Sequence, residues 1–171
     1  MKRSVALFFV VILFASTLFS CSTAGSAHAP CREVVSAMTS AEIGLPAGKF
    51  YDLTAPEGDK EYLSKSLIAS LFGNGSLPEV TKDWLDCALF LSLKDSPCEF
   101  AVILCSNRDT AEDTAALFHS RLAAIKVVKT APEYSAMIES ASVTITGNYA
   151  IFVISTDSTT ALKVAKKAIR R

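Results

Sequence analysis

Histidine is scarce in this chain, with only His28 and His119 among 171 residues. There is no Cys-x-x-Cys and no His-x-x-x-His, so zinc lacks ligands at workable spacing and no metal centre is expected. A nucleophile–histidine triad would have to route through His119, and no Gly-x-Ser-x-Gly elbow accompanies it. His119 lies beside the apolar stripe of a helix and reads as a solvated edge residue. Glycine is sparse as well, seven in all, and Gly73-Asn74-Gly75-Ser76 lacks the lysine and the preceding strand of a phosphate-cradling loop. It reads as a helix stop, and no cofactor is expected. Neither sign of charge is in excess, with 17 basic and 17 acidic residues, which speaks against a nucleic-acid partner. Lys163, Lys166, Lys167, Arg170 and Arg171 do gather at the C-terminus, where cations complement the dipole of a solvated helix end. The competing reading is a weak contact to anionic headgroups or wall polymers.

Apolar residues, by contrast, make up half the chain, and they are concentrated at its start. Lys2 and Arg3 precede an apolar run from Val5 to Phe19, interrupted only by Ser16-Thr17. Its 15 residues suit the apolar region of a signal and fall short of the roughly 20 that span a bilayer. The run closes on Leu18-Phe19-Ser20-Cys21, which resembles the lipobox of bacterial lipoproteins, although Phe19 is bulkier than the usual occupant of its position. The resemblance implies that the Cys21 thiol receives a diacylglyceryl group and that cleavage makes Cys21 the N-terminus. Two alternatives stand beside it. Ala27-His28-Ala29 has the small-x-small form of an ordinary signal-peptidase site, but Pro30 follows it, and proline is normally refused there. An uncleaved anchor would want a halting charge, and Ser22 to Pro30 has none.

The expected organisation is therefore a signal over 1–20, a small-residue flexible tether over 21–30 and one domain over 31–171. Without Lys2 and Arg3 the processed chain carries 15 basic against 17 acidic residues. A domain of that length buries about two thirds of its unfolded surface and needs no covalent staple.

Helical spacing of Val34, Val35, Met38 and Ala41 predicts a helix over Arg32–Ile43, stopped by Gly44-Leu45-Pro46. A second is expected over Ser64–Phe72, capped by Gly73, and an acidic-aromatic segment, Glu79–Trp84, leads into a sheet. Asp86–Leu93 and Cys98–Cys105 read as strands joined by Asp95-Ser96-Pro97, the second apolar enough to be covered on both faces. Asp109 with Glu112 forms a capping-box pattern before a helix striped with Ala111, Ala115, Phe118, Leu122 and Ile125. Tyr134–Ile138 suggests one more helical turn. A hairpin follows, Ala141–Thr146 and Tyr149–Ser155, closed by Gly147-Asn148, and Asp157 caps a last helix bearing Ala161, Leu162, Ala165, Ala168 and Ile169.

Residues 85–128 and 141–171 thus share one order: strand, turn, strand, capped helix. The expected fold is α+β, a four-stranded antiparallel sheet with both of these helices on one face and the N-terminal helices covering the other.

Leu71-Phe72-Gly73, the acidic-aromatic stretch, Phe90-Leu91-Ser92, Glu99-Phe100-Ala101-Val102-Ile103, Tyr134 and Gly147-Asn148-Tyr149-Ala150-Ile151-Phe152-Val153-Ile154 occur in a characteristic order. In this the chain, over Arg32–Arg171, resembles a family of uncharacterised lipoproteins of Gram-positive bacteria, domain of unknown function 4358. The resemblance implies the fold and the lipid-anchored address. It brings no catalytic residues, and the cysteines fall outside its pattern.

Two constellations remain for chemistry. Asp83 and Asp86 flank Trp84, and an Asp-Trp-x-Asp group can line a sugar-binding edge, with the indole as a stacking platform. The plainer reading keeps the acids in water at a strand entry with Trp84 packed underneath. Cys31, Cys87, Cys98 and Cys105 remain beyond Cys21, and an exported protein is free to form disulfides. Cys98 and Cys105 lie too far apart along one strand, at ~3.3 Å per residue, to join. A three-residue turn at Asp95-Ser96-Pro97 would put Cys87 directly opposite Cys105 and permit a cross-strand disulfide. A two-residue turn would put them on opposite faces, and buried thiols acting as small hydrophobes are the simpler outcome.

Subtraction then favours a non-enzymatic binding or interaction module, held at the outer face of the cell membrane through Cys21, with a wall component, a peptide or an envelope protein as partner. The rival is a cell-envelope hydrolase using paired carboxylates such as Asp83 and Asp86. A third class, an assembly protein, would pair through a long open sheet edge.

Overall fold

Five strands form one antiparallel sheet in the computed structural model, which describes residues 28–93, 95–129 and 131–171. The expected signal over 1–20, Cys21 and the expected tether as far as Ala27 lie outside the described residues. The strands are β1 (Gly48–Asp52), β2 (Trp84–Ser92), β3 (Glu99–Cys105), β4 (Ser142–Thr146) and β5 (Tyr149–Ile154), in the spatial order β1-β2-β3-β5-β4. Five α-helices accompany them among the described residues: α1 (Cys31–Ala41), α2 (Lys65–Phe72), α3 (Arg108–Val128), α4 (Pro132–Glu139) and α5 (Ser158–Ile169). A short 3-10 turn, Glu79–Asp83, precedes β2. No helix among the described residues is long and apolar enough to cross a membrane.

The α+β class holds, but the sheet has five strands and not four. β1 escapes the sequence pattern because Gly48-Lys49-Phe50-Tyr51-Asp52 is short, half-exposed throughout and lacks apolar alternation. Tertiary contacts hold it in place. It ladders onto β2 from Gly48↔Ser92 to Asp52↔Ala88, its Phe50 ring meets Phe90 edge-on at 5.2 Å, and the Arg32 guanidinium lies 3.8 Å over Phe50. The sheet edges, β1 and β4, are five residues each, shorter than the long open edge that an assembly protein calls for.

Every side chain of β3 and β5 is buried, as the continuous apolar runs require. Ala101, Ile103 and Cys105 of β3, with Ala150, Phe152 and Ile154 of β5, face α2, α3 and α4. Phe100, Val102 and Leu104, with Tyr149, Ile151 and Val153, face α1 and α5. On the first face Trp84, Phe72, Phe118 and Phe152 form a chain of ring contacts with centroids 5.4–6.2 Å apart. Such contacts contribute about 0.5–1.5 kcal/mol per pair beyond area burial.

The strand-strand-helix order recurs as expected, with β2-β3-α3 and β4-β5-α5. The helices do not share a face, however: α3 lies on one side of the sheet, α5 crosses to the other, and α2 lies beside α3 instead of joining α1. A two-fold axis normal to the sheet would require α3 and α5 on the same side, so the repeat is one of order and not of symmetry. The large rings of Phe118, Phe72 and Trp84 already fill the first face, whereas the small Ala161 and Ala165 let α5 lie close against α1. The Glu42 carboxylate, just past α1, fixes the crossing by accepting from the Thr156 backbone N–H at 2.9 Å and from its hydroxyl.

Local signals also differ in detail. Asn107, not Asp109, caps α3, its side chain accepting from Thr110 N–H at 2.9 Å, while Glu112 pairs with Arg108 instead of reaching back. Asp157 caps α5 through Thr160 N–H at 3.0 Å, which holds its carboxyl below the usual range. The Gly147-Asn148 turn is in place, with Gly147 at φ +59°.

Gly73 ends α2, and a Cβ there would fall 1.7 Å from the Ser76 carbonyl oxygen. Backbone cannot yield as a side chain does, so Gly73→Ala is expected to cost about 1–3 kcal/mol, read as a lower urea midpoint at unchanged slope.

Candidate functional site

The approach to β2 carries the residues that the sequence singles out, and a β-bulge decides where each one points. Trp84 pairs with Cys105 and Asp86 with Leu104, leaving Leu85 as the extra residue, turned outward and 58 % exposed. Trp84 is buried on the α2–α3 face, where its indole N–H donates to Thr114 Oγ1 at 2.9 Å. That satisfies its polar end and removes it as an open stacking platform. Asp83 is exposed at the end of the 3-10 turn, and its backbone carbonyl accepts from Ser106 N–H at 2.9 Å. Asp86 belongs to the opposite face, where Oδ2 accepts from Cys31 N–H at 2.7 Å and so satisfies the first turn of α1. The two carboxylates diverge across the sheet and share no site.

What lies beside Trp84 is an apolar groove of about 270 Å³, walled by Leu53, Ile68, Leu77 and Trp84 and rimmed by Thr81, Lys65 and Lys82. Local sequence explains its walls. Ser64 caps α2 by accepting from Leu67 N–H at 3.2 Å, which sets Ile68 toward the sheet. The Asn74-Gly75 turn, at φ +50° and +91°, reverses the chain so that Leu77 returns over the opening, 43 % exposed. Gly73–Ser76 therefore acts as the helix stop expected of it. Lys82 pairs with Glu79, while Lys65 makes no ion pair among the described residues. An apolar slot with ammonium groups at its rim accepts an apolar body that carries an acceptor or a negative charge.

A second cavity, about 190 Å³, opens at the other end of the sheet beside Glu99, Cys98, Arg121, Ile125 and Lys129. Glu99 is 3 % exposed, and Arg121 from α3 holds both its oxygens, with Nη2 at 2.9 Å and Nε at 3.3 Å from each. Burial raises the Glu99 carboxyl above its ordinary value of 4.5, and the Arg121 charge and hydrogen bonds oppose the rise. Sequence reasoning passed over this pair, although Glu99 is the one charge in the run Cys98–Cys105. An isolated charge in an apolar strand signals a buried partner, but its distance along the chain, 22 residues here, hides which one.

The cysteines do not converge either. The observed ladder pairs Cys87 with Ile103 and Leu91 with Glu99, displaced by two residues from the register that would set Cys87 opposite Cys105. The three-residue turn does not form, since Ser92 N–H already bonds the Cys98 carbonyl at 3.2 Å. An offset of two keeps Cys87 and Cys105 on the same face but not opposite each other, and all four cysteines of the described residues are free and buried. Burial pushes every one of these thiols up, Cys98 to about 12, so none is poised as a nucleophile. Cys105 Sγ also contacts Thr114 Oγ1 at 3.5 Å. His119 is exposed on α3, and no group of three or more His, Cys, Asp or Glu side chains among the described residues is placed to hold a metal. No protein-family model, no curated protein and no solved structure matches the chain.

Two measurements test these assignments. A carboxyl raised in the folded state favours folding in its protonated form, so the Glu99 contribution is present below pH 4.5 and is lost as pH rises through the raised folded value. Removing its partner should widen that loss: Arg121→Leu is expected to cost ~3 kcal/mol at pH 7, the low end for a pair whose arginine is partly exposed, and distinctly less at pH 4. Urea unfolding at the two pH values checks it, and equal losses would contradict the buried-carboxylate account. For the cysteines, thiol titration of unreduced protein should give no rapid reaction when native and four reactive thiols, apart from Cys21, after denaturation. Two fewer would mean a disulfide.

Proposed function

We propose that this chain is an exported lipoprotein held at the outer face of the cell membrane through Cys21, and that its domain works as a binding module and not as an enzyme. The observation that carries the reading is the groove beside Trp84, which offers a contact surface without the pieces of a catalytic centre. Its walls are aliphatic and aromatic and its rim cationic, with Glu79 paired to Lys82. No acid among the described residues lines it: Asp83 stands exposed before β2, and Asp86 is committed to the first turn of α1. Hydrolysis by paired carboxylates needs two acids converging on one bond, about 5–9.5 Å apart. Supporting the address are the Leu18-Phe19-Ser20-Cys21 motif and the family resemblance carried by Gly147-Asn148-Tyr149. Two acyl chains on Cys21 would anchor the chain stably, where a single chain is marginal.

The test places a photo-crosslinking residue at Leu77 in the intact cell, with Val127, 77 % exposed at the far end of α3, as the control. A discrete adduct at position 77, absent at 127, is expected on the membrane fraction. Cys21→Ser should release the protein from that fraction. No adduct at 77, together with turnover of a wall glycan that Asp83→Asn abolishes, would reverse the reading in favour of a hydrolase.

A further inference from the structure

The chain enters the folded body at a fixed point, and that point orients the domain. Ala29 accepts through its carbonyl from the Tyr149 hydroxyl at 2.9 Å, and Cys31 N–H donates to Asp86. The His28 ring meets Tyr149 edge-on at 6.2 Å. Tyr149 opens β5 and Asp86 lies near the start of β2, so both belong to one end of the sheet, the end where Trp84 faces Cys105 and Leu104 faces Tyr149. Only seven residues, Ser22 to His28, lie between Cys21 and Ala29 of this clasp, a distance of eight residue steps. Whatever their conformation, they reach at most about 28 Å at 3.3–3.6 Å per residue.

The same end carries features that a bilayer surface would match. Leu85 stands out at the bulge, 58 % exposed, and Leu77 overhangs the groove, 43 % exposed. Lys65 and Lys82 rim that groove, Lys65 free of any of the ion pairs seen among the described residues. The exposed acids of this end are Glu79 and Asp83 on the 3-10 turn, Glu57 and Asp59 on the loop after β1, and Asp109, Glu112 and Asp113 at the start of α3. They leave Lys65 as a local cation and not part of a basic face. Ile43 and Leu93 lie at the other end, past α1 and β2, and Val127 and Val128 at the far end of α3.

We propose that the groove end of the domain rests on the phospholipid surface that holds the anchor. Leu77 and Leu85 enter the headgroup–acyl boundary, and the Lys65 ammonium meets a lipid phosphate. The end bearing Ile43 and Leu93 then faces away from the membrane. This deepens the binding-module reading by naming the surface that the groove end contacts, and it rests on the acylation of Cys21.

Trp84 is the only tryptophan and lines the groove, so the native chain carries its own reporter. Full-length acylated protein, purified from membranes, is reconstituted in phosphatidylglycerol–phosphatidylcholine vesicles with acyl chains brominated near the headgroup, and flotation is scored first. The expected result is co-flotation with Trp84 emission quenched about twofold or more relative to unbrominated vesicles. In Leu77→Glu/Leu85→Glu, flotation persists and quenching is lost; both side chains are exposed, and circular dichroism confirms that the variant folds. A distal reporter, Ile43→Trp in a Trp84→Phe background, stays unquenched. Floating protein with unquenched Trp84, or with equal quenching at position 43, overturns the docking while leaving the anchor standing. Protein with intact Cys21 that fails to float overturns the anchor and the docking together.

Discussion

Burial of β3 on both faces is the constraint from which the rest of this structure follows. Seven consecutive side chains, Glu99 to Cys105, are withdrawn from water, so the sheet must be covered twice. One helix layer cannot do that. The chain therefore sends α1 and α5 to one side and α2, α3 and α4 to the other, and it must also supply a partner for the single charge the strand contains. Arg121 does so from the helix directly above, at the cost of fixing how α3 sits over the strand. A paired charge in that position adds less to stability than hydrocarbon of the same volume, but it penalises every arrangement in which the two groups fail to meet.

How much of this was legible depended on the kind of information each feature uses. β2, β3, the Gly147-Asn148 hairpin, α3 and α5 announce themselves because their signals are local: period, cap and turn chemistry within a few residues. β1 does not, since its half-exposed Gly48–Asp52 has no local pattern and exists through its ladder to β2 and through Phe90 and Arg32. The side of the sheet a helix chooses is likewise invisible. An alanine stripe such as Ala161 and Ala165 says that α5 has an inner face, not which neighbour fills it. Register sits between the two cases. The length of the connection after Leu93 decides both the face and the alignment of Cys87 and Cys105. They share a face but lie two residues from the alignment a cross-strand disulfide needs, and the simpler outcome, buried free thiols, is the one found.

The same distinction applies to the site. Asp83, Trp84 and Asp86 cluster in sequence, yet one inserted residue, Leu85, sends them to three different surroundings. Trp84 goes inward to Thr114, Asp86 across to α1, and Asp83 into solvent. The groove that results is assembled from Leu53, Ile68, Leu77 and Trp84, residues of four separate segments with no shared motif. Spacing analysis finds sites carried on one element and has little purchase on those built between elements.

The clasp around residues 29–31 also bears on how the domain would respond to being pulled. Tension arriving from the N-terminal side runs along the backbone into α1 and is shared, through the Tyr149 hydroxyl and the Asp86 carboxylate, with β5 and β2, two strands that flank β3 on either side. Ladder bonds lie crosswise to the strands, so a load running lengthwise is shared by many of them at once, and no outermost bond is left to open first. Attachment at β4, the sheet margin, would instead have let the structure peel from its side.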